Sequence, residues 1–133
     1  MLDLKTLNTA VTSDAGISFN IRHPETNAKL PLSITILGAD SDAYQRVSDA
    51  SLNTVLKDMA KGKKTARTAS DIRDERISAI SGCVVKWEGF SEDGTELECT
   101  TENKIRIFGD RGYGWLLDQV DEAIRDRANF LPK

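Results

Sequence analysis

The chain has 133 residues, of which 39% are hydrophobic and 29% are charged, and its formal net charge is -3. This length suits one domain with a single core, and no apolar run approaches the roughly 20 residues that a membrane-spanning helix needs. Because nucleic-acid-binding domains usually carry a basic excess, this charge disfavours broad binding to nucleic acid. Two cysteines and one histidine supply too few ligands for a structural zinc site.

The first residues lack the basic and continuous apolar regions of a secretory signal, so we expect the protein to stay in the cytoplasm where it is made. Residues 1–14 are predicted to be a weakly ordered segment. Residues 15–133 are predicted to form a single α+β domain, with a hairpin over 15–37 and a helical part over 41–130.

Two runs with a two-residue period predict the β-hairpin. Apolar residues alternate with polar ones from Ile17 to Ile21, and again from Leu30 to Ile36, with turn-forming residues between the runs. Pro31 cannot donate a hydrogen bond to a neighbouring strand, so its strand is either an edge or paired only beyond that point. The hairpin must pack on the helices or add to the sheet of another subunit.

Apolar residues at steps of three and four predict the first two long helices. The first begins after the capping residues Asp40 to Asp42, and a basic linker follows it at residues 61–67. The second begins at Thr68 or Ser70 and continues to Trp87. The two stripes are Tyr44, Val47, Leu52, Val55, Leu56 and Met59 in the first helix, and Ile72, Ile77, Ile80, Val84 and Trp87 in the second.

The remaining segment is acidic and turn-rich between Glu88 and Glu98, with its sharpest turn signal at Asp93-Gly94. A short helix is predicted from Thr100 or Thr101 to Gly109, and a last helix from Tyr113 to Asn129. The complete pattern is an N-terminal β-hairpin packed on three or four amphipathic helices, which makes the domain α+β and mostly α-helical.

The residues that could perform catalysis have more ordinary explanations. His23 precedes a proline in a turn, and Cys83 and Cys99 lie where burial or acidic neighbours disfavour a reactive thiolate. Pairs of carboxylates such as Asp118 and Asp121 are interleaved with arginines, as on a solvent-exposed helix face with ion pairs. We therefore expect a protein that is not an enzyme and needs no cofactor or metal.

Four aromatic residues are candidates for partner binding, because large aromatic anchors dominate protein interfaces. They are Trp87, Phe90, Trp115 and Phe130. A place in the core is the commoner fate of such residues in a chain with few aromatics. Phe90 and Phe130 lie outside the helical stripes, so these two are expected to be the exceptions.

Several segments together resemble the tail assembly chaperones of long-tailed bacteriophages. They cover most of the chain, and the likeness lies in their order rather than in any catalytic signature. The segments are residues 34–44 (ITILGADSDAY), 85–90 (VKWEGF), 99–103 (CTTEN), 115–124 (WLLDQVDEAI) and 127–130 (RANF).

The resemblance implies a chaperone made in the host cytoplasm and absent from the mature virion. It would bind the tape measure protein, keep it soluble and help recruit tail tube subunits around it, without ATP. Such families often make a longer product by ribosomal frameshifting, and Leu131-Pro132-Lys133 can be encoded by a slippery heptamer. That longer product would contact the tail tube protein.

Two further expectations concern assembly and the alternative function. An exposed hairpin edge and scattered aromatic residues predict a homo-oligomer. The alternative function is a minor structural protein of the virion, in the tail or the connector. A small enzyme built on the carboxylate pairs or on Cys99 is the third and least favoured hypothesis.

Overall fold

A computed structural model describes residues 1–62 and 68–132, and its fold is α+β, as predicted. The helices and strands, in chain order, are α1 (Ala10–Ala15), β1 (Ile17–Arg22), β2 (Lys29–Ile36), α2 (Asp42–Ala60), α3 (Ala69–Cys83), β3 (Val84–Glu88), β4 (Ser91–Glu92), β5 (Thr95–Glu96), α4 (Thr101–Gly109) and α5 (Gly114–Arg125). Short 3₁₀ turns lie at Leu4–Leu7, Arg111–Tyr113 and Arg127–Phe130.

The predicted hairpin is confirmed by β1 and β2. The two strands are antiparallel, with Ile17 opposite Ile36 and Phe19 opposite Ile34. Ile34 and Ile36 are fully buried, whereas the alternate residues on β2 face outwards. One face of the sheet therefore belongs to the core, as the two-residue period predicts.

The sheet has a third strand that the sequence analysis missed. In the described residues the strand order is β1–β2–β3, so β2 is central and the edge position suggested by its proline is wrong. Pairing between β2 and β3 begins at Ser33, beyond Pro31, which agrees with the second alternative. The hairpin is thus extended by a strand of its own chain.

The prediction that the second long helix continues to Trp87 is wrong. Helix α3 ends at Cys83, and Val84 already has extended backbone angles. Val84 pairs with Ile36 and Trp87 with Ile34, while Val85 bulges out between these pairs and is 56% exposed. A bulge inserts one extra residue, so two strand residues three positions apart face the same side. That spacing imitates a helical stripe.

The predicted starts of α2, α3 and α4 are confirmed by side-chain caps. Ser41 accepts a hydrogen bond from the Tyr44 N–H, and Thr68 and Thr100 cap α3 and α4 in the same way. Gly62 follows α2 with a positive φ of 70°, a left-handed conformation that glycine readily adopts after a helix end. Residues 63–67 of the predicted basic linker lie outside the described residues.

The last helix is shorter than predicted, because α5 ends at Arg125 rather than at Asn129. Asp126 adopts extended backbone angles, and its side chain accepts a hydrogen bond from the Ala128 N–H, which starts the 3₁₀ turn Arg127–Phe130. At the turn signal Asp93-Gly94, both residues have positive φ, and this turn joins β4 to β5.

Two short helical elements lie in residues 1–14, for which the sequence indicated weak order. Helix α1 is held by a hydrogen bond from the Gly38 N–H to the Ser13 carbonyl and by one from the Asp42 N–H to Asp14 Oδ1. Ser13 is buried, but the 3₁₀ turn Leu4–Leu7 buries no residue.

The core lies between the inner face of the sheet and helices α3, α4 and α5. Its largest fully buried side chains include Phe108, Phe130, Ile80, Ile124 and Val120. By contrast, none of the described residues of α2 is buried, although this helix has 19 residues. Helix α2 packs mainly on α3, outside the core.

Candidate partner-binding groove

A groove runs along the surface where α2, α3 and α5 meet. It encloses an open cavity of about 630 Å³. Helix α2 forms one wall, α3 forms the floor, and the C-terminal half of α5 closes one end. The residues that line the groove are Tyr44, Val47, Ser48, Ser51, Leu52, Val55, Ile72, Glu75, Arg76, Ala79, Asp121 and Arg125.

Large apolar side chains lie open to solvent in and beside this groove. Leu52 and Leu56 on α2 are 56% and 52% exposed, and Met59 one turn later is 63% exposed. Ile72 on α3 is 58% exposed. Isolated exposed apolar residues are common, but a contiguous group along two neighbouring helices is typical of an interaction surface.

The groove is open because α2 contacts α3 along a narrow line. Tyr44, Val47, Ser51 and Val55 recur at steps of three and four residues and are half-buried. Leu52 and Leu56 lie beside this line, where no neighbouring element of the described chain covers them. The apolar stripe is therefore wider than the surface that α3 covers.

An ion-pair network forms the polar end of the groove. Arg76 Nε donates to Asp121 Oδ2 at 3.0 Å, and its Nη2 donates to Asp118 Oδ1 at 3.0 Å. Arg125 Nη2 also donates to Asp121 Oδ2, at 3.1 Å. The hydrogen bond to Asp118, followed by that to Asp121, raises the pKa of the Arg76 guanidinium.

The ion-pair network contains the carboxylate pair Asp118 and Asp121 that was noted in the sequence. The carboxylate of Asp121 is nearly buried, and it bridges Arg76 on α3 and Arg125 on α5. Asp121 and Arg125 form the predicted pair four residues apart on α5, but the solvent-exposed position expected for Asp121 is wrong, because its side chain is only 8% exposed. The network has a structural role, because it holds α3 and α5 together at the end of the groove.

The four predicted anchor residues lie away from the groove. Trp87, Phe90 and Phe130 are buried, so the expectation that Phe90 and Phe130 escape the core is wrong. Trp87 stacks on Phe90 with ring centroids 4.7 Å apart, and its indole N–H donates to the Leu97 carbonyl at 2.8 Å. Trp115 is partly buried. Partner binding by these four residues stays a prediction.

Phe90 and Trp115 line a second, smaller cavity of about 160 Å³. At its rim the Tyr113 hydroxyl donates to Glu92 Oε2 at 2.7 Å, and Arg106 donates to Glu92 Oε1 at 3.0 Å. These two hydrogen bonds, that of Tyr113 first, lower the pKa of Glu92, and the same carboxylate raises the pKa of Tyr113. The polar groups at this rim are thus paired with one another.

Cys83 and His23 are placed as the sequence predicted, whereas for Cys99 the cause that disfavours the thiolate is burial and not the acidic neighbours. Cys83 is fully buried, and burial raises the pKa of its thiol to about 11. Burial also raises the pKa of the Cys99 thiol. His23 lies in the hairpin turn, where its Nδ1 accepts hydrogen bonds from the N–H groups of Glu25 and Thr26.

No group of three or more histidine, cysteine, aspartate or glutamate residues in residues 1–62 and 68–132 is arranged to hold a metal ion. No helix in the same ranges combines the length and apolar character required to span a membrane.

The groove was missed in the sequence although its apolar residues were identified. Leu52, Leu56 and Met59 were assigned to a helical stripe, and such stripes are normally buried. The missing information was which helix faces would remain uncovered.

Comparison of the chain with protein-family models, curated proteins and solved structures finds no match.

Proposed function

We propose that the groove binds an amphipathic helix of a partner protein, and that the protein is a non-catalytic tail assembly chaperone for a phage tape measure protein. The observation that carries this proposal is the open apolar surface of α2 and α3, centred on Leu52, Leu56 and Ile72. A helix whose apolar face lies in such a groove is a common mode of protein recognition.

The dimensions of the groove suit a helical partner. At a rise of about 1.5 Å per residue, the 19 residues of α2 form a wall roughly 28 Å long. A partner helix lying along this wall can cover both Leu52 and Leu56, which are one turn apart. A long helical protein exposes apolar stripes that aggregate unless they are covered, so reversible covering keeps it soluble.

The other parts of the proposal follow from the family resemblance. The protein acts in the host cytoplasm, assembles as a homo-oligomer and leaves before the virion is mature. A longer frameshifted product recruits the tail tube protein.

Co-expression tests the groove directly. The product of the downstream gene, if it is a long helical protein, is expressed alone, with the wild-type chain and with the double variant Leu52→Asp/Leu56→Asp. We expect it to be soluble only with the wild-type chain, because two carboxylates would be desolvated in the groove. The control is Ile105→Asp on α4, since Ile105 is 48% exposed and lies outside the groove.

Two results would count against this function. One is a downstream protein that stays insoluble with the wild-type chain, and the other is equal rescue by the double variant. Mass spectrometry of purified particles separates the chaperone from a minor structural virion protein, because a chaperone is absent from finished particles. Stoichiometric recovery of the chain from particles would favour the structural alternative.

A further inference from the structure

The exposed apolar side chains of this protein fall mainly into two groups. One group surrounds the groove at Leu52, Leu56, Met59 and Ile72. The other belongs to residues 1–11, which we call the arm. Of the 12 large apolar side chains exposed in the described chain, 4 are in the first group, and 5 are in the arm, namely Met1, Leu2, Leu4, Leu7 and Val11.

The arm has the composition of a segment that enters an apolar site. Its only charged side chains are those of Asp3 and Lys5, which have opposite signs. Leu4 and Leu7 are three residues apart in a 3₁₀ turn, a spacing that places both side chains on the same side of the turn. Such a segment can bury its apolar side without also burying an unbalanced charge.

The base of the arm is fastened while its outer part is not. Thr9 Oγ1 donates to Asp40 Oδ2 at 2.5 Å, and Arg127 donates to both oxygens of the same carboxylate. Beyond this anchor, Leu4 and Leu7 remain 76% and 52% exposed. The arm therefore projects from a fixed base and leaves the groove of its own chain open.

We infer that two copies of this chain exchange arms, each placing its Leu4–Leu7 turn in the groove of the other. In the part of the chain that the structure describes, the arm has apolar side chains that nothing covers and the groove has no occupant, so two copies complement each other. A two-fold arrangement uses the same contact twice, and exchange of an identical element between protomers is a low-cost route to a dimer. It would bury both apolar groups in one step.

The exchange also regulates the groove, and this part rests on the proposed function. A partner helix and the arm of the second copy occupy the same surface, so each lowers the apparent affinity of the other. The dimer then covers the groove until a partner helix displaces the arm. An unoccupied chaperone is protected in this way from aggregating through its own apolar surface.

Disulfide trapping tests the exchange without any partner helix. Both chains carry Cys99→Ser, and the buried Cys83 is kept. A tagged chain with Leu7→Cys is mixed with an untagged chain with Leu52→Cys and oxidised. We expect a disulfide between the tagged and untagged chains, and none when Ile105→Cys replaces Leu52→Cys. No arm-to-groove bond, or equal bonding to the control position, would overturn the exchange.

A second measurement distinguishes exchange between two copies from folding of the arm into the groove of its own chain. Sedimentation is measured for the wild type and for Leu4→Asp/Leu7→Asp, which alters exposed residues and leaves the core intact. Each apolar side chain removed from the interface weakens binding by about tenfold, and both copies lose two, so we expect a dimer dissociation constant raised by roughly 10,000-fold.

Two sedimentation results would overturn the exchange. One is a wild-type chain that stays monomeric up to high micromolar concentration, and the other is a double variant that dimerises normally. Neither measurement uses a partner helix, so the exchange can fail while solubilisation of the downstream protein succeeds. The reverse outcome, a trapped dimer with no solubilisation, would refute the proposed function and leave the exchange standing.

Discussion

The two sides of helix α3 show very different packing. On one side, Ile77 and Ile80 join the sheet and helices α4 and α5 in a closed core. On the other side, α3 supports α2, none of whose described residues is buried. The sequence patterns of the two regions are similar, since both have apolar residues at helical spacing. The comparison teaches that amphipathic spacing predicts a helix but does not tell whether its apolar face is covered.

Charge explains part of this difference. At the end of the groove, Arg76, Asp118, Asp121 and Arg125 hold α3 to α5 through ion pairs. Helix α2 has the ion pair between Asp42 and Arg46 within its own first turns, and this pair is largely exposed. Exposed pairs contribute little stability. The core side is therefore tied by both packing and charge, whereas α2 contacts α3 along a narrow line of half-buried residues.

The largest expected effect is on the core side, at Trp87. Trp87→Ala removes the stacking with Phe90, the edge contact with Phe108 and the hydrogen bond to Leu97. We expect the free energy of unfolding to fall by about 3–5 kcal/mol. Urea denaturation followed by circular dichroism measures this loss.

The matched variant on the groove side is Leu56→Ala, which removes a side chain that is 52% exposed. We expect a change in the free energy of unfolding of no more than about 0.5 kcal/mol. A loss similar to that of Trp87→Ala would mean that α2 belongs to the core, and the contrast between the two sides of α3 would be wrong.

An intermediate effect is expected at Asp121, where the two regions meet. Asp121→Asn removes the charge that Arg76 and Arg125 share, and we expect a loss of about 1–2 kcal/mol in unfolding free energy. The control is Asp118→Asn, because the Asp118 side chain is 72% exposed and its pair with Arg76 is open to water. Equal losses for both variants in denaturation experiments would show that burial of Asp121 is unimportant.

A smaller effect than that at Asp121 is expected at Asp40, which joins the arm to the 3₁₀ turn Arg127–Phe130. The hydrogen bonds from Arg127 and Thr9 lower the pKa of Asp40 below its ordinary value of 3.8. A carboxylate with a lowered pKa stabilises the fold above its ordinary pKa, and this contribution is lost as the pH falls through the lowered value. Asp40→Asn should therefore cost about 1 kcal/mol at neutral pH.

The pH dependence of the unfolding free energy tests this prediction. The difference in unfolding free energy between the wild type and Asp40→Asn should be constant above about pH 5 and shrink below about pH 4. Thermal unfolding measured between pH 3 and pH 7 follows it, with Asp118→Asn as the control for an exposed carboxylate. A difference that grows as the pH falls would contradict the stabilising role of the ionised Asp40 carboxylate.

Local signals in the sequence were sufficient for much of the fold. The hairpin over β1 and β2 followed from a two-residue period, and the starts of α2, α3 and α4 followed from their capping residues. The apolar spacing was misleading at β3, because the bulge at Val85 gives Val84 and Trp87 the spacing of a helical stripe. Phe90 was misplaced for a related reason, since its burial depends on stacking with Trp87.

The candidate site was less predictable than the fold, for a physical reason. Leu52, Leu56 and Ile72 were known to be apolar and to lie on helices, but their exposure depends on the position of α2 relative to α3. That position is set by contacts between residues distant in the sequence. Aromatic residues are the usual anchors of interfaces, but side chains such as Phe130 are buried in the core of this protein.

The sequence by itself determined the secondary structure that depends on neighbouring residues, namely the alternation in β1 and β2, the caps of the long helices and the turn at Asp93-Gly94. It also determined the amphipathic character of α2. Only the tertiary structure decided that α3 ends at Cys83, that β3 joins the sheet and that the apolar stripe of α2 stays open. The reason is that capping and periodicity act within a few residues, whereas burial depends on which distant surfaces fit together.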